Sequence, residues 1–154
     1  MIVKDKMTAD PITITPDTTH THAVRLMRDR NIRHLPVVAH DDKLVGMVSK
    51  TDLLSSGPSP ATTLSIYEIV TLLDKLQVSQ TMSQPVFAVD QDCHMSAAVR
   101  FMAEHKIGAL PVLDGEQIVG IITETDVLLT LGDVLDEYAP YEPGEKDQLL
   151  TVGG

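Results

Sequence analysis

The chain has 154 residues, of which 43% are hydrophobic, 22% charged and only 3% aromatic, a balance that excludes disordered, collagen-like and low-complexity proteins and predicts an aliphatic core. Its formal net charge of −10 argues against binding to nucleic-acid backbones or anionic membranes, and the few aromatic rings argue against a stacking surface for single-stranded nucleic acid. A single cysteine, Cys93, excludes an intramolecular disulfide, and no apolar run reaches the ~18 residues of a membrane span or forms a signal peptide, so we expect a cytoplasmic protein.

The first half of the chain begins with a predicted strand and a predicted helix. Residues 12–15 are a short apolar run directly after a proline, a residue that is tolerated at the start of a strand. Apolar residues then recur at helical spacing through Ala23 and Met27, and Thr18 or Thr19 is the predicted N-cap of this helix.

A predicted hairpin and a second helix follow. Residues 35–39 and 44–49 are two β-rich runs separated by a pair of aspartates. Ser49 ends the second run, and Asp52 lies three residues later, the spacing of a capping box that satisfies the first N–H groups of a helix. The first half therefore reads strand, helix, strand, strand, helix.

A turn-rich segment and an apolar helix connect the two halves. From Leu64 to Leu76 the apolar residues form a wide helical stripe, so we expect residues 58–77 to be a connector helix packed on the rest of the protein. At the other end, residues 132–154 are expected to hold the end of the last helix and a mobile acidic tail.

The second half repeats the first. Displaced by 75 residues, Met7 falls on Met82 and Leu35-Pro36-Val37 on Leu110-Pro111-Val112. After one gap, Val45-Gly46 falls on Val119-Gly120 and Thr51-Asp52 on Thr125-Asp126. Matching of Pro, Gly and Asp at the same points indicates an internal duplication. The same element order is therefore expected, with strands at 86–89, 110–113 and 117–123 and a helix capped by Thr123.

These paired motifs resemble a known family. A Leu-Pro-Val strand followed by Gly-Met-Val-Ser-Lys-Thr-Asp, and again by Gly-Ile-Ile-Thr-Glu-Thr-Asp, is similar to a tandem pair of CBS domains, a Bateman module. The opening segment and Asn-Ile-Arg-His-Leu-Pro-Val-Val further resemble small bacterial CBS proteins named for acetoin utilisation. The resemblance implies an α+β fold of two β-α-β-β-α repeats, residues 1–57 and 78–131, packed as a pseudo-twofold pair.

The resemblance also implies two clefts between the repeats, each able to bind an adenosine ligand such as AMP, ADP, ATP or S-adenosylmethionine. Carried over residue by residue, the first cleft combines Ile12, Ile32, Arg33, His34 and Pro36 with Thr123 and Asp126. The second combines Val86, Ile107, Gly108, Ala109 and Pro111 with Ser49, Lys50 and Asp52. It implies as well a regulatory rather than catalytic role, no metal or other cofactor, an unidentified regulated protein partner and a homodimer.

Elementary chemistry is compatible with these assignments. The carboxylates of Asp52 and Asp126 can accept hydrogen bonds from both hydroxyls of a ribose, although each could equally serve only as a helix cap. Arg33 and His34 have the uncharged pair Gly108-Ala109 as counterparts, so the first cleft is expected to prefer ligands that carry phosphates. The alternative for these two residues is a solvated loop.

Other functions receive less support from the sequence. His20 and His22 are two residues apart at a helix start and do not aim at one metal ion, so they are interpreted as solvated surface residues. Cys93 lies beside His94, but adjacent side chains seldom face each other, and no orienting acid accompanies them. The rival hypothesis is a protein-protein interaction or assembly module whose clefts are vestigial and hold no ligand.

Overall fold

The computed structural model describes residues 1–59, 61–140 and 144. In the first half the elements are β1 (Thr8–Ala9), α1 (His20–Arg30), β2 (His34–Val38), β3 (Leu44–Ser49), α2 (Lys50–Ser55) and the connector helix α3 (Ile66–Lys75). In the second half they are β4 (Val89–Asp90), α4 (Met95–His105), β5 (Ala109–Asp114), β6 (Gln117–Thr123) and α5 (Glu124–Tyr138). Short 3-10 turns, Val3–Asp5 and Val78–Gln80, open the two halves.

The ends of several helices are set by capping residues. Thr19 caps α1 by accepting a hydrogen bond from the His22 N–H at 3.3 Å, and Asn31, in the left-handed conformation, ends that helix. Capping boxes formed by Ser49 with Asp52 and by Thr123 with Asp126 open α2 and α5. The predicted element order is therefore confirmed, as two mixed α and β repeats.

The first strand of each repeat is shorter than predicted. Of residues 12–15 only Ile14 pairs, with Val37, and of residues 86–89 only Val89 joins a strand. In the first repeat the Val38 N–H donates to the Ile14 carbonyl at 2.8 Å, so the next donor along the ladder would be residue 36. Because that residue is Pro36, which has no N–H, the ladder stops there, and Pro111 occupies the equivalent position in the second repeat.

The two repeats exchange their opening segments. Strand β1 of the first repeat pairs antiparallel with β6 of the second, which gives a sheet in the order β1-β6-β5-β4. Reciprocally, Ser83 of the second repeat bridges to Met47 in β3, next to the two-stranded sheet β2-β3. Each repeat is therefore completed by chain from the other.

The hydrophobic cores follow the same exchange. Val78 is fully buried in the first core with Ile14, Ala23, Met27, Leu35, Val37, Val48 and Leu53. Val3 is fully buried in the second core with Met95, Ala98, Met102, Leu110, Val112 and Ile122. Removal of one repeat would expose a buried valine of the other, so the two repeats stabilise each other.

Two glycines allow the exchanged segments to approach. A side chain at Gly120 would meet Met7, with the Cγ atom only 2.9 Å away, and the Thr8 carbonyl oxygen at 3.1 Å. Gly46 lies against Met82 in the same way, with that Cγ atom again at 2.9 Å. The repeated Val-Gly pair is thus explained by a methionine that crosses each glycine from the other repeat.

The connector helix packs on only one side. α3 contacts α1, and Ile69 and Leu73 are half-buried, but Ile66 is 72% and Tyr67 83% exposed. No helix in the described ranges is both long and apolar enough to cross a bilayer. The acidic tail expected beyond α5 falls outside the described residues, apart from Gly144.

Candidate functional site

A cavity of about 990 Å³ lies where the two repeats meet. Its walls come from α1, the start of β2 and α2 in the first repeat, and from the start of α5 in the second. All seven residues predicted for the first cleft line it: Ile12, Ile32, Arg33, His34, Pro36, Thr123 and Asp126. The structure therefore brings together one complete predicted set, drawn from both repeats.

The short loop after α1 positions the cavity's first wall. The left-handed turn at Asn31 ends the helix, and the Ile32 N–H donates back to the Met27 carbonyl at 2.9 Å. The Arg33 carbonyl then accepts from the Lys50 N–H at 2.8 Å, which joins this loop to the start of α2. Arg33 and Lys50 are consequently neighbours on one side of the cavity.

Asp126 supplies the carboxylate of the opposite wall. Its Oδ2 atom accepts hydrogen bonds from the Thr123 N–H at 2.8 Å and from the Thr123 hydroxyl at 2.7 Å. Within the described ranges its other oxygen, Oδ1, has no hydrogen-bond partner. One carboxylate oxygen thus fixes the helix start, and the second is available to a ligand.

His34 and Glu124 approach each other from opposite repeats over Gly108. A Cβ atom added at Gly108 would lie 3.1 Å from the His34 Nε2 atom and 3.6 Å from Glu124 Oε2. Burial lowers the pKa of the His34 imidazole, and the positive charge of Arg33 lowers it further, while Glu124 and Asp52 act in the opposite direction. His34 is therefore biased toward the neutral form in the free protein.

Charge is distributed unevenly across the cavity. Arg28, Arg33 and Lys50 line the side formed by the first repeat, whereas Glu124 and Asp126 line the side formed by the second, joined by Asp10. Asp10 belongs to the exchanged segment, and its N–H donates to the Val119 carbonyl of β6 at 3.2 Å. Neither Arg33 nor Lys50 forms an ion pair with any described residue, whereas Arg28 contacts Asp29 at 3.2 Å.

Most residues of the second predicted set lie outside this cavity and outside a smaller one in the second repeat. A cavity of about 470 Å³ lies between α4 and α5 inside the second repeat, and of the eight predicted residues only Ile107 lines it. Gly108 and Lys50 line the first cavity instead, and Val86, Ala109, Pro111, Ser49 and Asp52 line neither of these two. Ala109 and Pro111 are buried within β5, and the Asp52 carboxylate accepts the Ser49 N–H at 2.8 Å.

Sequence reasoning missed part of the first cavity. The missed residues are Thr8, Asp10 and Pro11 of the exchanged segment, Val24, Met27, Arg28 and Asn31 of α1, Leu53 and Leu54 of α2, and Ile121, Glu124 and Thr125. The sequence match of Met7 with Met82 and of Gly46 with Gly120 was a signal, but only the structure shows that a methionine from one repeat covers a glycine of the other.

The histidine and cysteine candidates have structural partners. His20 is only 7% exposed and its Nε2 atom lies 2.6 Å from the Leu53 carbonyl, so the expectation of a solvated surface residue was wrong for His20. His20 lies in the first turn of α1 and faces α2. Its equivalent in the second repeat, Met95 at the start of α4, is likewise buried in a core. The His94 ring contacts the Ser96 hydroxyl at 2.7 Å rather than the Cys93 thiol. The described residues contain no cluster of three or more metal-ligating side chains.

Comparison with known proteins adds a family and a fold. A family model for the CBS domain matches residues 3–58 and 78–137. An uncharacterized protein of Methanocaldococcus jannaschii, MJ1404, is 33% identical over 132 residues, which is 83% of this chain but only 31% of that protein. The chain thus spans about a third of that relative.

Two solved structures are similar over most of the chain. A protein from Vibrio cholerae assigned to acetoin utilization (AcuB) superposes with a TM-score of 0.74 at 31% identity, covering 93% of this chain and 98% of that one. The structure of CBSX2 in complex with AMP gives a TM-score of 0.70 at 27% identity, covering 87% and 98% of the two chains. Both likenesses extend across the two repeats.

Proposed function

This chain belongs to the CBS-domain family, with two repeats, and from that premise we propose that it is a regulatory module that binds an adenosine ligand in the 990 Å³ cavity between them. The observation that carries the proposal is the pairing of walls across the cavity. Asp126 from one repeat, with a free carboxylate oxygen, faces the apolar Ile12 and Ile32 and the cations Arg33 and Lys50 of the other.

Each wall suits one part of an adenosine ligand. The carboxylate of Asp126 accepts hydrogen bonds from ribose hydroxyls, and charge-assisted bonds of this kind are the strong ones. Ile12 and Ile32 offer apolar surface to an adenine ring, and Arg33 with Lys50 offers positive charge to a phosphate. The complex of the similar protein CBSX2 with AMP supports this class of ligand.

We propose that the ligand regulates by population shift rather than by chemistry. A molecule that contacts Asp126 and Arg33 at once bridges the two repeats. It stabilises whichever packing of the repeats fits it better, by no more than its difference in affinity between the two packings. The module is proposed to be non-catalytic and cytoplasmic and to transmit this shift to a partner protein.

The test is a panel of adenosine ligands read out by thermal unfolding. Adenosine, AMP, ADP, ATP and S-adenosylmethionine are added separately, and a ligand at 100 times its dissociation constant is expected to stabilise the protein by about 2.7 kcal/mol. Because the first residue set is complete around the 990 Å³ cavity, we propose one bound molecule per chain. Absence of any shift with the whole panel would contradict the proposal.

The rival is an assembly module with empty clefts, and a specific observation favours an association of copies. α5 presents five large apolar side chains that are half or more exposed: Leu128, Leu129, Leu131, Leu135 and Tyr138. A row of this kind is more apolar than the ordinary surface of a monomer. We propose a homodimer in which α5 is covered by a second copy, a property compatible with ligand binding. An unliganded but dimeric protein would support the rival.

A further inference from the structure

His34 occupies a position in the cavity that its counterpart in the other repeat cannot. The equivalent residue, Ala109, is buried in β5 and has no titratable group. The His34 ring, by contrast, lies in the seam between the repeats, where its Nε2 atom would be 3.1 Å from a Cβ atom added at Gly108. The duplication therefore placed one ionisable ring in the middle of a single binding cavity.

Burial and charged groups act on this ring in opposite directions in the free protein. Arg33 beside it opposes protonation, as does burial, while Glu124 of α5 and Asp52 of α2 favour it. Lys50, on the cavity wall formed by α2, adds a further positive charge. The sum keeps the imidazole pKa below its ordinary value, so the ring is mostly neutral near pH 7.

A phosphate would change that balance. Among the described residues Arg33 and Lys50 have no ion-pair partner, so an anionic group is attracted to the space beside His34. A phosphate there adds negative charge close to the ring, which favours the imidazolium form. The protonated ring in turn separates the phosphate from the repelling carboxylate of Glu124.

We infer that phosphorylated adenosine ligands bind in this cavity together with a proton taken up by His34, so that His34 sets the preference for AMP over adenosine according to pH. This inference rests on the proposed function. The direction of the pH dependence follows from the linkage between proton binding and AMP binding. The pKa of His34 is lowered in the free protein and raised in the complex, so affinity for AMP increases as pH falls through the interval between the two pKa values. Above that interval no proton is taken up.

The experiment is titration calorimetry with AMP and with adenosine at about pH 6 and about pH 8, on wild type and His34→Gln. The second pKa of a phosphate lies near 6, so AMP becomes less negative as the pH falls over the same range. The His34→Gln protein reports the effect of this phosphate titration on affinity without that of His34. From pH 8 to pH 6 the affinity of wild type relative to His34→Gln is expected to rise about threefold to tenfold for AMP, since one proton contributes at most tenfold per pH unit. For adenosine it is expected to stay constant.

His105→Gln is the matched control, because His105 stacks on Phe101 outside the cavity. It is expected to keep the wild-type pH dependence. Should His34→Gln fold poorly, the His34 imidazole is titrated by NMR in the wild type, and its pKa is expected to rise with saturating AMP but not with adenosine. If both ligands bind and the ratio stays flat, this inference is wrong and the proposed function stands. If neither ligand binds at any pH but another member of the panel does, this inference is wrong and the proposed function stands. If no member of the panel binds, the proposed function fails and the inference with it.

Discussion

Replacement of Asp126 by alanine separates the ligand role of this residue from its helix-cap role. The Oδ2 atom accepts two hydrogen bonds from Thr123, and loss of this cap is expected to cost about 1 kcal/mol of stability, or roughly 2–4 °C in Tm for a chain of this size. The remaining oxygen is available to ribose hydroxyls, and charge-assisted bonds contribute about 1.5–3 kcal/mol each. Loss of about 2–3 kcal/mol weakens AMP binding by roughly 30-fold to 150-fold. Calorimetric titration with AMP measures the affinity of wild type and of Asp126→Ala.

Asp52→Ala is the matched control for this prediction. Asp52 forms the equivalent capping box with Ser49, at 2.8 Å from its N–H, but it does not line the 990 Å³ cavity. Both variants are expected to lose similar stability, while Asp52→Ala keeps AMP affinity within about threefold, because its charge acts only at a distance. Equal loss of affinity in the two variants would show that Asp126 is only a helix cap, and the proposed ribose contact would be refuted.

Three further predictions test packing, phosphate recognition and assembly. Gly120→Ala is expected to destabilise the protein by about 1–3 kcal/mol, because the new methyl group meets the exchanged segment, whereas Gly132→Ala, with open space in α5, should stabilise it by about 0.5–1 kcal/mol. Denaturant unfolding compares the two variants, and similar changes in stability would contradict the exchange of opening segments. Arg33→Ala is expected to weaken AMP binding about tenfold and to change adenosine binding little, with calorimetry as the assay and a substitution of the exposed Arg30, Arg30→Ala, as the control. Equal losses of affinity for both ligands would exclude a contact between Arg33 and the phosphate. Leu135→Glu is expected to convert the dimer to a monomer in light scattering without loss of folding, and an unchanged mass would remove α5 from the interface.

Features that depend on nearby residues were predictable from the sequence. The capping boxes depend on a hydroxyl and a carboxylate three residues apart, and the hairpins on β-rich runs with short turns between them. Duplication then transferred each local assignment to the other half. The first residue set, which joins Ile32, Arg33 and His34 to Asp126 across the two repeats, came instead from the resemblance to CBS-domain pairs.

Features that depend on distant pairing were not predictable. The exchange pairs Thr8 with Ile121, and nothing near Thr8 in the sequence specifies that partner. The second cleft expected from the duplication stays a prediction. His34 and Gly108 meet at the seam, where only one repeat supplies a bulky side chain, so residues assigned to the second cleft line the first. The cavity between the repeats is therefore lined unequally by equivalent positions of the two repeats.

A crystal structure of the protein with AMP tests the central claim most directly. The account predicts one AMP per chain in the cavity between the repeats, with the ribose hydroxyls within hydrogen-bond distance of Asp126 Oδ1 and the phosphate beside Arg33 and His34. AMP seated in the groove between α4 and α5, or in the central cavity with its ribose turned away from Asp126, would contradict it.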